Sequence, residues 1–260
     1  MAVCWHREPM ASALHRSRGV MDVGIVWDSQ DVERRSGGLE HRHRHSILST
    51  TTLISKRRSP VSSDSATSLN LPRIIVPKRH VDGRGWFSEI FHEQRLHGIG
   101  ITCRFVQDNL SSSKRAGTLR GLHFQLLPSA QAKLVTVLKG RILDVAVDVR
   151  RGSPTFGKYV STEVSSESGR QVYIPIGFAH GFLTLEDDVV VMYKTSAYYA
   201  PAHDSGIRWN DPDVAFPWPL NEADIITSQK DQRLPFLKEF ASTFNYDGYP
   251  LGHFNVTDLE

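Results

Sequence analysis

Two histidines lie in apolar, strand-like stretches that also carry polar residues. One stretch is Arg120-Gly-Leu-His123-Phe-Gln125, with Lys133 ten residues beyond the histidine, and the other is Ile174-Pro-Ile-Gly-Phe-Ala-His180-Gly-Phe182. Imidazole is the side chain whose ordinary pKa lies closest to neutrality, so each histidine is a candidate proton shuttle or metal ligand. A metal site needs at least three ligands, normally two from one strand as H-x-H, and Phe124 and Gln125 follow His123 instead. A lone histidine on an apolar strand is otherwise a satisfied core residue. What points to a site is the company: Arg120, Lys133 and the run Gln107-Asp108-Asn109 are costly to bury without partners, yet they stand among residues that read as sheet core. Polar groups converging in a barrel mouth make a ligand site.

A third stretch, Val189-Val-Val-Met-Tyr193-Lys-Thr-Ser-Ala-Tyr198-Tyr199, runs an apolar strand into three tyrosines. Such tyrosines pack with a wet tip, or, beside a histidine base, donate a proton or stack on a flat ring. Gly152-Ser-Pro-Thr-Phe-Gly157-Lys158 has the outline of a phosphate loop, but Tyr159 replaces the required Ser or Thr and no helical pattern follows, so a turn between strands is the better reading.

The elements that must hold these groups read as strands. From Leu71 onward, short β-branched segments are divided by Gly, Pro and Asp, which predicts an all-β sandwich or barrel, a jelly roll by the number of strands. Residues 134–138 and 142–149 flank Lys139-Gly140 as a hairpin, and further strands are expected at 73–76, 104–107, 171–174, 179–185 and 189–194. Regular alternation would put Arg120 and His123 on opposite faces, and Gly121 marks a place for a bulge. Short helices are expected only at 92–96 and 235–244.

Up to Thr67 there is no sustained period, and Arg, Ser and His crowd the chain, as in His41-Arg-His-Arg-His45. Residues 1–67 are therefore expected to be a disordered extension, and residues 68–260 one domain with a helical C-terminal tail. The extension holds ten Lys/Arg and seven Asp/Glu, which leaves 21 of each sign in the domain, so the net charge of +3 belongs to the extension. An electroneutral domain argues against a nucleic-acid binder. No apolar run reaches membrane-spanning length, so no membrane association is expected. Cys4 and Cys103 form neither a disulfide framework nor a zinc site, and a reducing, cytoplasmic setting is expected.

Taken in order, Asp82-x-Arg84-Gly85, Gln107-Asp-Asn109, Arg120-Gly-Leu-His-Phe124, the segment 144–150, Ser153-Pro-Thr-Phe-Gly157, Pro175-x-Gly-Phe-Ala-His-Gly-Phe182, Met192-Tyr-Lys194 and Trp209-Asn-Asp211 resemble the dTDP-4-dehydrorhamnose 3,5-epimerase family. The likeness covers residues 71–235. It implies a cupin-like jelly-roll β-sandwich with a few short peripheral helices, a homodimer, and conversion of dTDP-4-dehydro-6-deoxy-D-glucose to dTDP-4-dehydro-L-rhamnose without metal or other cofactor. By that resemblance His123 is the base, Tyr193 the acid and Asp231 the partner of the base. Arg120 and Lys133 correspond to residues near the ketone and phosphates, and Tyr199 to the aromatic that stacks on thymine. Arg84, Glu89, Gln107, Asp108, Asn109, His180, Asp204 and Lys230 match other ligand-binding positions. Asp204 departs from the family's usual glutamate, and Asp-Gln-Arg-Leu-Pro235 replaces a more alanine-rich run after Lys230. The alternatives are an epimerase acting at one carbon for another deoxysugar pathway, a cupin metalloenzyme, and a catalytically silent sugar-binding module.

Overall fold

The computed structural model describes residues 70–260, so the expectations for residues 1–67 lie outside the described residues. In chain order the strands are β1 (Arg73–Pro77), β2 (Arg79–Asp82), β3 (Gly85–Ser88), β4 (Gln107–Ser113), β5 (Leu119–Gln125), β6 (Lys133–Lys139), β7 (Arg141–Asp148), β8 (Tyr159–Ser165), β9 (Gln171–Ile174), β10 (Phe178–Thr184), β11 (Val189–Thr195), β12 (Asp204–Gly206) and β13 (Asn255–Leu259). Two short helices, α1 (Glu93–Gly98) and α2 (Gln229–Gln232), stand at the periphery.

Two sheets form a sandwich. One has six strands in the order β13-β1-β9-β6-β11-β4 and the other five in the order β12-β5-β10-β7-β8, while β2 and β3 pair as a separate hairpin. Alternation along each strand sends Val135, Val137, Val172 and Val191 of the first sheet and Ile142, Ala146, Val160 and Phe182 of the second into a shared core. A further apolar layer lies behind each sheet. Leu122, Phe124, Val145, Val147 and Ala179 are covered by Ile207, Val214, Leu237 and Phe244 from the C-terminal segment. Ile75, Leu134 and Tyr173 are covered by Leu96 of α1 and Ile101.

The bulge foreseen at Gly121 exists and decides where the polar groups go. His123 pairs with His180 and Arg120 with Phe182, so Gly121 and Leu122 of β5 oppose the single residue Gly181 of β10. The extra residue brings Arg120 and His123 to the same face. Glycine is required here, because a Cβ on Gly121 would lie 2.7 Å from Gly181 Cα and 2.8 Å from His180 O, at a φ of +127°.

Three local expectations are corrected. The strand placed at 104–107 begins only at Gln107 and runs to Ser113, its polar Ser111-Ser-Ser113 end being admissible because β4 is an edge strand. The helix at 235–244 is a single 3-10 turn, Leu237–Glu239. The Leu237 N–H donates to Asp211 Oδ2 and the Ser242 hydroxyl to the Val149 carbonyl, which draws this segment onto the back of the five-stranded sheet in place of a helical ladder. The helical tail is likewise replaced: the chain ends in β13, which pairs in parallel with β1.

Candidate active site

One end of the interior is left open as a cavity of about 520 Å³, walled by both sheets. The five-stranded sheet supplies Arg120 and His123 from β5, His180 from β10 and Asp204 from β12. The six-stranded sheet supplies Gln107 and Asn109 from β4, Lys133 from β6 and Tyr193 from β11. Tyr199 from the following loop and Lys230 and Asp231 from α2 complete the rim.

His123 Nε2 lies 2.6 Å from Asp231 Oδ1. A carboxylate accepts only, so Nε2 carries the proton and Nδ1 is left with the lone pair. Asp231 Oδ2 also accepts the Gly121 N–H at 3.4 Å. Burial pushes the Asp231 carboxyl up, but the hydrogen bond and charge of His123, the Gly121 N–H and Ser228 together hold it below the usual carboxylate range. The buried His180 makes a parallel pair, its Nε2 2.8 Å from Asp144 Oδ2. Burial pushes His180 down against the pull of Asp144, which favours a neutral ring.

Lys133 donates to the His123 carbonyl at 3.0 Å, and burial lowers it to about 8 against the opposing pull of Asp144 and Asp204. The Arg120 guanidinium rests on the Ser113 hydroxyl at 3.2 Å and the Ser112 carbonyl at 3.0 Å, and among the described residues it has no carboxylate partner. Such a cation is available to an anionic ligand. Burial raises the Tyr193 phenol, with Arg120 pulling the other way. Gln107 donates to Asn109 at 2.8 Å and accepts the Tyr199 N–H at 2.8 Å. Asp204 Oδ2 accepts from the Tyr199 hydroxyl at 2.8 Å and pairs with Lys230.

Among the described residues no group of three or more His, Cys, Asp or Glu is arranged to hold a metal ion. Both histidines direct a ring nitrogen to a carboxylate instead.

A family model described as dTDP-4-dehydrorhamnose 3,5-epimerase matches residues 66–239. The chain belongs to this epimerase family. The dTDP-4-dehydrorhamnose 3,5-epimerase of Sinorhizobium fredii is 48% identical over 174 residues, 67% of this chain and 89% of the relative. The fold is similar to the crystal structure of the dTDP-6-deoxy-D-glucose-3,5-epimerase of Legionella pneumophila in complex with dTDP-4-keto-L-rhamnose, with a TM-score of 0.64 and 44% identity over 68% of this chain and 94% of that one. It is also similar to a double mutant of a 3'-monoepimerase from Streptomyces bikiniensis in complex with dTDP, with a TM-score of 0.59 and 33% identity over 70% of this chain and 88% of that one.

Of the fourteen residues that the resemblance to the epimerase family singles out, the structure gathers His123, Tyr193, Asp231, Gln107, Asn109, Arg120, Lys133, His180, Tyr199, Asp204 and Lys230 around one cavity. It places Arg84, Glu89 and Asp108 elsewhere. Arg84 sits in the tip of the β2–β3 hairpin, paired with Asp82 at 2.7 Å. Glu89 pairs with Arg95 at 3.1 Å. Asp108 alternates to the face of β4 opposite Gln107 and Asn109, where it pairs with Lys194 at 2.9 Å. The same alternation identifies a residue that sequence reading passed over, Ser111, which lines the cavity with its i−2 and i−4 neighbours. Gln125, two places beyond His123, is another. Thr227 and Ser228 carry no periodic signal and reach the rim only through the fold.

Proposed function

We propose that this epimerase-family chain converts dTDP-4-dehydro-6-deoxy-D-glucose to dTDP-4-dehydro-L-rhamnose by proton transfer at C3 and C5, with His123 as base and Tyr193 as acid. The observation that carries the reading is that these two groups stand on strands of opposing sheets, β5 and β11, and line one cavity. Inversion requires a proton to leave one face of the sugar ring and another to arrive on the opposite face, since return by the same group restores the starting stereochemistry.

A hydrogen beside a ketone is a poor acid, roughly ten pKa units above an imidazole, which at 1.36 kcal/mol per unit is a gap of about 14 kcal/mol. Fixed positive charge at the developing oxyanion must close most of it. Arg120 and Lys133 supply that charge, while the neutral His180 ring, its one N–H given to Asp144, offers Nδ1 as an acceptor for a sugar hydroxyl. Asp231 fixes the His123 tautomer and steadies the imidazolium that forms when Nδ1 takes the proton. Gln107, Asn109, Asp204 and Lys230 contact the nucleotide, and Tyr199, with its ring more than half exposed at the rim, stacks on thymine.

The working form in this reading is a cytoplasmic homodimer. Val81, Trp86 and Phe87 of the β2–β3 hairpin are 77%, 58% and 70% exposed, an apolar surface that a second copy would cover, with Arg84 at the tip brought to the partner's cavity. Asp108 and Glu89 stand in ion pairs of their own chain, and their contribution to the ligand is indirect. Cytoplasmic placement rests on a free Cys103 thiol and on a nucleotide-activated substrate.

In the Streptomyces bikiniensis 3'-monoepimerase variant the substituted histidine and tyrosine have the same spacing along the chain as His123 and Tyr193. That protein acts at one carbon, so the test counts labels. Incubation with the dTDP-keto-sugar in deuterated water should place deuterium at both C3 and C5. Tyr193→Phe should suppress inversion while leaving exchange partly intact. Label at one position would reduce the activity to a single epimerisation, and full inversion by Tyr193→Phe would remove Tyr193 from the mechanism.

A further inference from the structure

α2 is a single turn of four residues, far too short to hold itself in water, so whatever fixes it also fixes the Asp231 carboxylate. On its N-terminal side the chain is anchored to the start of β5: the Ile226 N–H donates to the Gly117 carbonyl and the Leu119 N–H to the Ile226 carbonyl, each at 2.8 Å. On its C-terminal side Leu234 is buried against Gly206. Between these anchors the helix start depends on Ser228, whose extended backbone (φ −77°, ψ 157°) and side-chain oxygen make it the N-cap. Among the described residues no other side chain accepts from the backbone of α2. Ser228 itself is exposed at the cavity rim, while Asp231 is buried.

We infer that Ser228 is a positioning residue for the proton-abstracting pair: by accepting the Asp231 N–H at 3.1 Å, its hydroxyl sets the carboxylate that bonds to His123. The inference rests on the reading of His123 and Asp231 as that pair. The other groups facing His123 are Arg120 on its own strand, Lys133 of β6, His180 of β10 with Asp144 behind it, and Tyr193 of β11, and none of them bonds to the Asp231 carboxylate. The ring therefore depends on Asp231 for its orientation, and Asp231 depends on the cap together with the Gly121 N–H that its Oδ2 accepts.

The test is a series at one exposed position. Ser228→Ala removes the cap, whereas Ser228→Thr and Ser228→Asn keep a side-chain acceptor. Each variant is measured for kcat/KM and, without ligand, for the downfield imidazole N–H resonance that a short Nε2–H···Oδ1 bond produces. Ser228→Ala should lose about tenfold in kcat/KM, the scale of losing a partner that orients a functional side chain, mostly in kcat, with its imidazole signal broadened or moved upfield. Thr and Asn should restore both. An unchanged imidazole signal in Ser228→Ala would overturn the inference, and so would equal losses in all three variants. His123→Asn is run beside them: if it still exchanges the C3 and C5 hydrogens, the reading of the pair fails, while the resonance series still reports on the cap.

Discussion

Lys133 is held charged where charge is expensive, and the cost can be measured by removing it. Burial lowers its amine from 10.5 to about 8, a difference of about 2.5 units or about 3 kcal/mol. The sign follows from linkage. Below pH 8 the lysine is protonated in both the folded and the unfolded chain, and the folded state bears the whole penalty. Between pH 8 and 10.5 the folded amine is neutral while the unfolded one keeps its proton, so the penalty fades and is gone above 10.5. Lys133→Met keeps the length and apolar stem but loses the hydrogen bond to the His123 carbonyl, worth about 1 kcal/mol. At pH 7 the variant should therefore be more stable by about 2 kcal/mol, or about 4–8 °C in Tm for a domain of this size. By pH 10.5 the order should invert. The gain should coincide with a loss of about a hundredfold or more in kcat, the cost of one missing donor at a developing oxyanion, and wild-type activity should itself decline as the pH rises through about 8. Calorimetry at both pH values, on wild type and variant in parallel, decides it. A variant less stable at pH 7, or a stability difference that does not change with pH, would refute the claim that this cation is retained for chemistry at the expense of stability.

Further outcomes follow from particular contacts. Gly121→Ala forces a Cβ to within 2.8 Å of the β10 backbone at positive φ, and chemical denaturation should show a loss above about 3 kcal/mol or no folded protein. Arg150→Met strands Asp148, whose carboxyl is raised by burial but held below its ordinary range chiefly by Arg150. The loss at neutral pH should be about 3–5 kcal/mol. Because Asp148 stabilises the fold above its unfolded pKa of 3.8 and that stability is lost as pH falls, the acid-unfolding midpoint should move to higher pH. Phe87→Ser on the exposed hairpin should shift sedimentation toward monomer without altering the fold of a single chain, and an unchanged profile would remove the hairpin from the proposed interface.

Local patterns made much of this legible. Val135 and Val137, and then Val145 and Val147, recur at every second place as in a strand, and the structure has them in β6 and β7. The bulge was visible because glycine between two polar residues of a strand costs stability unless the backbone needs it. What escaped were elements whose stability comes from partners distant in sequence. β13 is half polar and forms only because β1 offers an edge. Leu237 and Phe244 have helix-like spacing, but the back of the five-stranded sheet takes their side chains and Asp211 takes the backbone. For the site, alternation could have retained Ser111 and set Asp108 aside, since one face of β4 carries Gln107, Asn109 and Ser111 together. Nothing local could have placed Asp231 beside His123, 108 positions away.

A sandwich that opens part of its interior to a polar cavity gives up some of the region where such folds gain their stability, and the outer layers explain how this one holds. Arg120, His123, Lys133, His180 and Tyr193 occupy inward positions that Val, Ile or Phe would otherwise fill, at about 1.5–3 kcal/mol of burial each. The loss is offset on the other faces of the same strands. Leu119, Leu122 and Phe124 alternate with Arg120 and His123 along β5 and are buried behind the five-stranded sheet, and Leu134 follows Lys133 into the layer under α1. On β5 and β6 the polar side chain presented inward is thus held by apolar ones outward. The peripheral segments are for that reason part of the active-site architecture: they keep β5 straight enough for its bulge to set Arg120 and His123 on one face. Loosening them, as by Phe244→Ala, should cost about 3–5 kcal/mol of stability and should reduce kcat as well, because the strand they brace is the one that carries the base.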